Sequence, residues 1–262
     1  MISPESGSSP EVIPDKEQKK PTILRVAFIR HAEREGGEGE TLSEAGRAQA
    51  QKYGKELIQY SDGTKVYCSP KSWTTETAGL IQENLRQKSP YQTRGKDVLV
   101  PVFSKGFRDQ LFQWRREEGN TAAMAHYLEY GSQKPDENSP SPAEMSRVVA
   151  GRLVRFCRIA SMNKFAGQEL SLPHIAHDFT IMPFVANVFK DQVEANPQNP
   201  EGKNIIEKMG GSLKPLEGFE ANITKEGGAE PITSLKFRDW TVELTQGQLE
   251  EMAKESSEGQ ES

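Results

Sequence analysis

At 262 residues, with 34% hydrophobic and 27% charged residues, the chain is polar for a globular protein yet long enough to bury one sizeable core. A formal net charge of −5 argues against general affinity for nucleic acid, which needs a basic surface to displace counterions. No run is long and apolar enough to span a membrane and the N-terminus lacks a secretory apolar core, so neither nucleic acid nor membrane is an expected partner and a cytoplasmic location follows by default.

Residues 1–21 are rich in Ser, Pro, Glu and Lys and read as a solvated, disordered tail, as do residues 254–262; residues 22–253 read as one domain. The first strand is expected over residues 24–29, stopping in Arg30-His31-Ala32-Glu33. A Gly/Glu-rich loop (35–41) leads to a helix beginning near Ser43, whose hydroxyl suits an N-cap. Ala50, Tyr53, Leu57 and Ile58 give that helix its apolar face. Residues 65–68 form a second strand ended by Ser69-Pro70, and residues 74–85 a second helix. Residues 97–103 read as a third strand, placed at an edge by Pro101. Aromatic and basic residues over 105–128 suggest helices laid over the sheet, followed by a polar loop at 130–142. Residues 143–161 repeat apolar positions at helical spacing, with Pro142 suited to the first turn. A fourth strand over 170–176 runs into His177-Asp178. Residues 190–215 look irregular, residues 219–224 and 234–244 are late strands, and a short acidic helix closes the chain near 246–254. The alternation predicts an α/β fold, a three-layer α/β/α arrangement with a mainly parallel sheet. Cys68 and Cys157 lie in apolar surroundings without a spaced motif and are expected as buried, reduced thiols.

In open α/β sheets ligands bind outside the carboxyl ends of the strands. Two predicted strands end in a histidine at that edge, so His31 and His177 are expected in one crevice although 146 positions apart. Arginine offers a planar fork suited to phosphate, and histidine attacks or relays protons near neutrality. At these residues the sequence resembles the histidine phosphatase superfamily, the phosphoglycerate mutase-like family. Its first strand ends in Arg-His-Gly, here Arg30-His31-Ala32. Its Leu-(Ser/Thr)-x-x-Gly-x-x-Gln-Ala run is matched by Leu42-Ser43-Glu44-Ala45-Gly46-Arg47-Ala48-Gln49-Ala50. Its Ser-Pro after the second strand and Thr-Ala on the next helix are matched by Ser69-Pro70 and Thr77-Ala78, and its second histidine by His177. The likeness covers residues 22–190 well and the last strands more loosely.

The resemblance implies a phosphomonoester hydrolase in which His31 attacks phosphorus and becomes a phosphohistidine that water hydrolyses. Arg30, Arg34 and His177 would form the phosphate pocket, with no cofactor and no metal, and the substrate would be a phosphorylated small molecule or a phosphoprotein. The equatorial oxygens of a phosphoryl group in transit need fixed cationic donors around them. The leaving oxygen needs an acid, and two carboxyls compete. Asp109, in Phe107-Arg108-Asp109, falls where one branch has Leu-Arg-Glu; Asp178 follows the second histidine as in the acid phosphatases. The family's arginine after Ser-Pro is replaced by Trp73, so Arg34 or Lys71 would have to supply that charge. That replacement motivates an alternative, a catalytically impaired module that binds phosphate or phosphoproteins. A phosphoglycerate-type mutase is a third reading. Arg34 fits pocket or solvent equally. His174 points to the other sheet face from His177 and is read as structural, as is His126. The cluster Phe112, Trp114, Arg115 and Arg116 is read as cover for the sheet rather than a substrate lid.

Overall fold

The computed structural model describes residues 20–37, 39–57, 63–86, 89 and 91–254. The tails expected at 1–21 and 254–262 lie outside the described residues except at 20–21, which lead into the first strand, and 254, which ends the last helix. The centre is β1 (Thr22–Arg30), a β-branched, largely buried run of nine residues. It pairs in parallel with β5 (Glu169–Ala176) on one side and antiparallel with β6 (Gly218–Lys225) on the other. Outward from β5 come the short parallel strands β2 (Gly63–Thr64), β3 (Tyr67–Cys68) and β4 (Arg94–Gly95). Outward from β6 runs an antiparallel pair, β7 (Ile232–Phe237) and β8 (Trp240–Thr245). The order β4-β3-β5-β1-β6-β7-β8, with β2 on β5, thus has a parallel core and an antiparallel flank. A strand buried on both faces reads as a near-continuous apolar run, which is why β1 and β5 are legible in the sequence.

Helices cover both faces. On one, Ala27 and Ile29 of β1 and Ile175 of β5 pack with Ala50 of α1 (Glu44–Leu57) and Ala78 and Ile81 of α2 (Ser72–Glu83). On the other, Leu24, Val26 and Phe28 pack against α5 (Pro142–Ala160), α6 (Asp178–Ala195) and Leu249 of α8 (Gln246–Lys254). A single row crosses the sheet on that second face: Phe219, Phe28, His174, Tyr67 and Arg94 are register partners in turn. Its rings stack at 5.1, 4.6 and 4.6 Å, so His174 is a layer of an aromatic core.

The helix starts follow their caps. The Ser43 hydroxyl accepts from the Gly46 N–H at 3.0 Å, and Ser141 with Glu144 forms a reciprocal capping box ahead of Pro142. Three expectations are corrected. Residues 97–103 are not a strand: after Lys96 N donates to Cys68 O the chain closes a 3-10 turn, Asp97–Leu99, and Pro101 has no N–H to extend the ladder. Residues 234–244 are not one strand but the β7–β8 hairpin, turning through Arg238 at φ 51°. The stretch 190–215 begins with the last turn of α6 and holds α7 (Ile205–Lys208), capped by the Asn204 side chain. The aromatic-basic segment forms α3 (Lys105–Glu117) and α4 (Asn120–Glu129). Among the described residues no helix is long and apolar enough to cross a membrane.

Candidate active site

Parallel register sets the geometry. Arg30 is level with Ala176, so the next residues of both strands leave the sheet at one edge. His31 N donates to Ala176 O at 3.1 Å, and the rings of His31 and His177 lie 5.6 Å apart, edge to face. The loop behind His31 is tied down by residues of the Leu-Ser-x-x-Gly run and of α2. Ala32 N donates to Thr77 Oγ1 (3.2 Å), Glu33 N to Gln49 Oε1 (3.4 Å), Leu42 N to Glu76 Oε2 (3.0 Å) and Ser43 N to Glu33 O (3.0 Å). Gly46 completes the arrangement: a Cβ there would sit 2.1 Å from Glu33 O, so α1 lies on the loop only because the residue is glycine. This motif is therefore a clamp on the loop that carries His31.

The proton positions at the two histidines follow from their partners. His31 Nδ1 is 2.8 Å from Ala32 O; a carbonyl only accepts, so Nδ1 carries the hydrogen and Nε2 keeps a lone pair. Burial, with help from Arg30, pulls His31 down to about 4, so the ring is neutral at pH 7. At His177 the chain is longer. Thr74 Oγ1 spends its hydrogen on the carbonyls of Ser69 and Lys71, both at 2.7 Å. It therefore accepts from the Ser69 hydroxyl (2.8 Å), which leaves Ser69 Oγ to accept from His177 Nε2 (2.9 Å). His177 thus holds its proton on Nε2 and presents Nδ1 as the free nitrogen. Burial, the neighbouring His31 ring and the charges of Arg34 and Lys71 pull it down to about 3, against the raising effect of Asp178.

Three charged groups stand beside this pair. Asp178, buried at the start of α6, is 3.1 Å from Arg115 and 3.8 Å from Arg30, and accepts from Phe179 N at 3.0 Å. Burial alone would raise its carboxyl, but Arg115 and Arg30 hold it well below the usual carboxylate range. Arg30 also donates to Leu213 O. Arg34 is half-buried, with its guanidinium 4.7 Å from the centre of the Trp73 ring and a bond to Gly39 O. Trp73 stands edge-on to both histidines, 6.1 Å from His31 and 6.0 Å from His177, and its indole N–H is buried without a partner.

The structure brings together His31, His177, Asp178, Arg30, Arg34 and Trp73. It does not bring Asp109 to them: that carboxyl is exposed on α3, on the side opposite the buried Phe107 and Leu111. What α3 delivers instead is Arg115, whose guanidinium also lies 4.8 Å over Phe179. By sequence alone Arg115 falls in the cluster expected to cover the sheet. Its signal was position, four residues after Leu111 at the border of the Phe107-Leu111-Trp114 stripe. Lys71 is exposed at the α2 N-cap and acts on His177 through its charge. His174 is wholly buried in the ring stack, and His126 packs on Trp114 and pairs with Glu118 at 3.0 Å. Cys68 and Cys157 are free and buried.

A family model described as "Histidine phosphatase superfamily (branch 1)" matches residues 26–158, just over half of the chain. The chain belongs to the histidine phosphatase superfamily. Among solved structures, mycobacterial hydrolase 2 superposes with a TM-score of 0.52 at 13% identity, covering 89% of this chain and 97% of that one. Mycobacterial hydrolase 1 gives 0.50 at 13% identity, covering 85% and 100%. A mycobacterial glucosyl-3-phosphoglycerate phosphatase gives 0.47 at 14% identity, covering 78% and 91%. At these identities the likeness to the two mycobacterial hydrolases shows a shared fold alone. No curated protein sequence matches the chain. Within the superfamily's pattern the matched segment includes His31, the Gly46 clamp and Trp73, whereas His177 and Asp178 lie beyond it.

Proposed function

We propose that this histidine phosphatase-family protein hydrolyses phosphomonoesters through a phosphohistidine on His31, with a small phosphorylated metabolite or a phosphoprotein as substrate. The observation that carries the reading is the state of His31: a neutral ring with Nδ1–H held by a backbone carbonyl and the Nε2 lone pair unengaged. In the first step Nε2 forms a bond to phosphorus as the ester P–O bond breaks. A dianionic phosphate beside His177 favours protonation of its Nδ1, because the anion offsets the burial that keeps the ring neutral. That proton then goes to the leaving oxygen. In the second step water attacks phosphorus, His177 Nδ1 takes the water's proton, and the N–P bond breaks to release phosphate.

Charge on the equatorial oxygens is met by Arg30, by Arg34 resting on Trp73, and by the N-terminus of α6. Asp178, held ionised by Arg115 and Arg30, is a poor acid at neutral pH and serves as the clamp that fixes Arg30. The scheme draws its charge from side chains and the α6 N-terminus and needs no metal, and two free buried thiols accord with a cytoplasmic site of action. The test is hydrolysis of p-nitrophenyl phosphate in the presence of a chelator, with His31→Ala expected to abolish it; full activity in His31→Ala would sink the mechanism. One observation favours a second reading, a binding module without turnover: an uncharged indole occupies the slot where the family pattern has arginine. Orthovanadate binding with no hydrolysis of any phosphomonoester would favour it.

A further inference from the structure

The aromatic row that crosses the sheet ends at its outer edge in a set of cations. Arg94 of β4 is the register partner of Tyr67. Lys65 holds its ammonium 5.7 Å above Tyr67 and 5.5 Å above Tyr91. From α5, Arg152 lies 5.6 Å over Tyr67 and 5.3 Å over Phe156, with Arg155 three residues further along the same helix. Lys96 sits two residues beyond Arg94, on the same side of the strand.

What is missing is a counter-charge. Arg152 is 9% exposed and its Nε has no hydrogen-bond partner. One of its N–H groups reaches His174 Nε2 at 3.3 Å. That nitrogen is an acceptor, because Nδ1–H is spent on Leu172 O, and the ring is neutral since burial and Arg152 pull it down to about 3. Tyr67 is neutral too, its phenol pushed up by burial. Among the described residues no carboxylate forms an ion pair with Lys65, Arg94, Lys96, Arg152 or Arg155. Burial and the four other cations accordingly lower Lys96. A buried, uncompensated guanidinium is costly, and it stands here on a protein of net charge −5.

We propose that this β4 edge is a second anion site, distinct from the catalytic crevice, which takes a small molecule bearing two or more phosphate groups. Along the strand direction the run from Lys65 to Lys96 covers four residue steps, about 13 Å, more than one phosphate group spans. Guanidinium forks and ammonium groups on such a run suit several phosphate oxygens at once. The inference does not depend on the phosphatase reading.

The test is calorimetric titration of the full-length His31→Ala protein with tripolyphosphate at about 0.1 M salt, where charges beyond ~10 Å are screened. Arg94→Ser/Lys96→Ser, both in side chains on the outer strand, is expected to weaken binding by about tenfold or more. The charge-matched control Lys52→Ser/Lys236→Ser, on exposed surface elsewhere, is expected to stay within about twofold. Equal weakening by both pairs would reduce the site to bulk charge and overturn the proposal, as would unchanged affinity in Arg94→Ser/Lys96→Ser. Tighter binding of a single-stranded oligonucleotide than of tripolyphosphate, lost in the same variant, would overturn the small-molecule assignment.

Discussion

Acidification offers a direct reading of how the histidines are held. His31, His174 and His177 are buried with values near 4, 3 and 3, against 6.5 in an unfolded chain. Between pH 7 and pH 5 the unfolded chain takes up protons at all three and the folded protein at none. Stability contributed by a histidine held neutral is complete above the unfolded value and is lost as pH falls toward the folded one. Each group therefore costs about 2 kcal/mol over that interval, and the three together about 6 kcal/mol. Asp178 adds nothing in this window, since its carboxyl is ionised in both states above pH 5 and its stabilisation is lost only as pH falls below the ordinary carboxylate range. His126 runs the other way, raised by its bond to Glu118, but it is partly exposed and its share is small. The assay is urea unfolding at pH 7 and pH 5 for the wild type and His174→Phe. The variant keeps a ring between Phe28 and Tyr67 but removes the acceptor of Arg152, so it is less stable at both pH values; the pH dependence is the readout. It should fall by about 2 kcal/mol. Stability unchanged between pH 7 and 5, or an undiminished dependence in His174→Phe, would refute the assignment of neutral buried rings.

Asp178→Asn leaves the half-buried Arg30 and Arg115 without their shared anion and is expected to lose about 3 kcal/mol of stability and about 100-fold in kcat, whereas Asp109→Asn should stay within about twofold. Thermal melts and p-nitrophenyl phosphate kinetics check both, and the reverse order would restore Asp109 as the acid. Gly46→Ala forces a methyl toward the Glu33 carbonyl and should cost about 3 kcal/mol, read as a fall in melting temperature. Gly151→Ala, with nothing within 4 Å of its added methyl in α5, should instead be neutral or stabilising. Trp73→Ala removes the face on which Arg34 rests, and inhibition by inorganic phosphate should weaken by about fivefold, the worth of a cation–π contact near 1 kcal/mol. Unchanged inhibition would separate Arg34 from the pocket.

The parts of the fold legible in sequence were those whose pattern is local. Thr22–Arg30 and Glu169–Ala176 are buried on both faces and announce themselves as apolar runs that end in polar residues. Ser43 and Pro142 mark helix starts because a cap or a first-turn proline acts locally. Of the two-residue strands only β3 lies within an expected strand, 65–68; β2 and β4 exist only through their partners and carry almost no pattern of their own. Residues 97–103 misled for the same reason: an apolar, β-branched run looks like a strand until its ladder partner proves to be missing. At the site, His31 and His177 could be named because each ends a strand. Arg115 could not, because its place is set by how α3 lies across α6 and not by its neighbours in sequence. The protonation states of both histidines were likewise invisible, resting on one carbonyl and on two hydroxyls brought together by folding.

The central claim is that His31 Nε2 carries the phosphoryl group. The most direct measurement is acid-labile phosphoenzyme trapping: brief mixing with excess p-nitrophenyl phosphate, quenching in alkali, and mapping of the modified peptide. The account predicts phosphate on His31 that survives alkali, is released by acid and is absent from His31→Ala. Phosphate on another side chain, or steady turnover in His31→Ala, would contradict it.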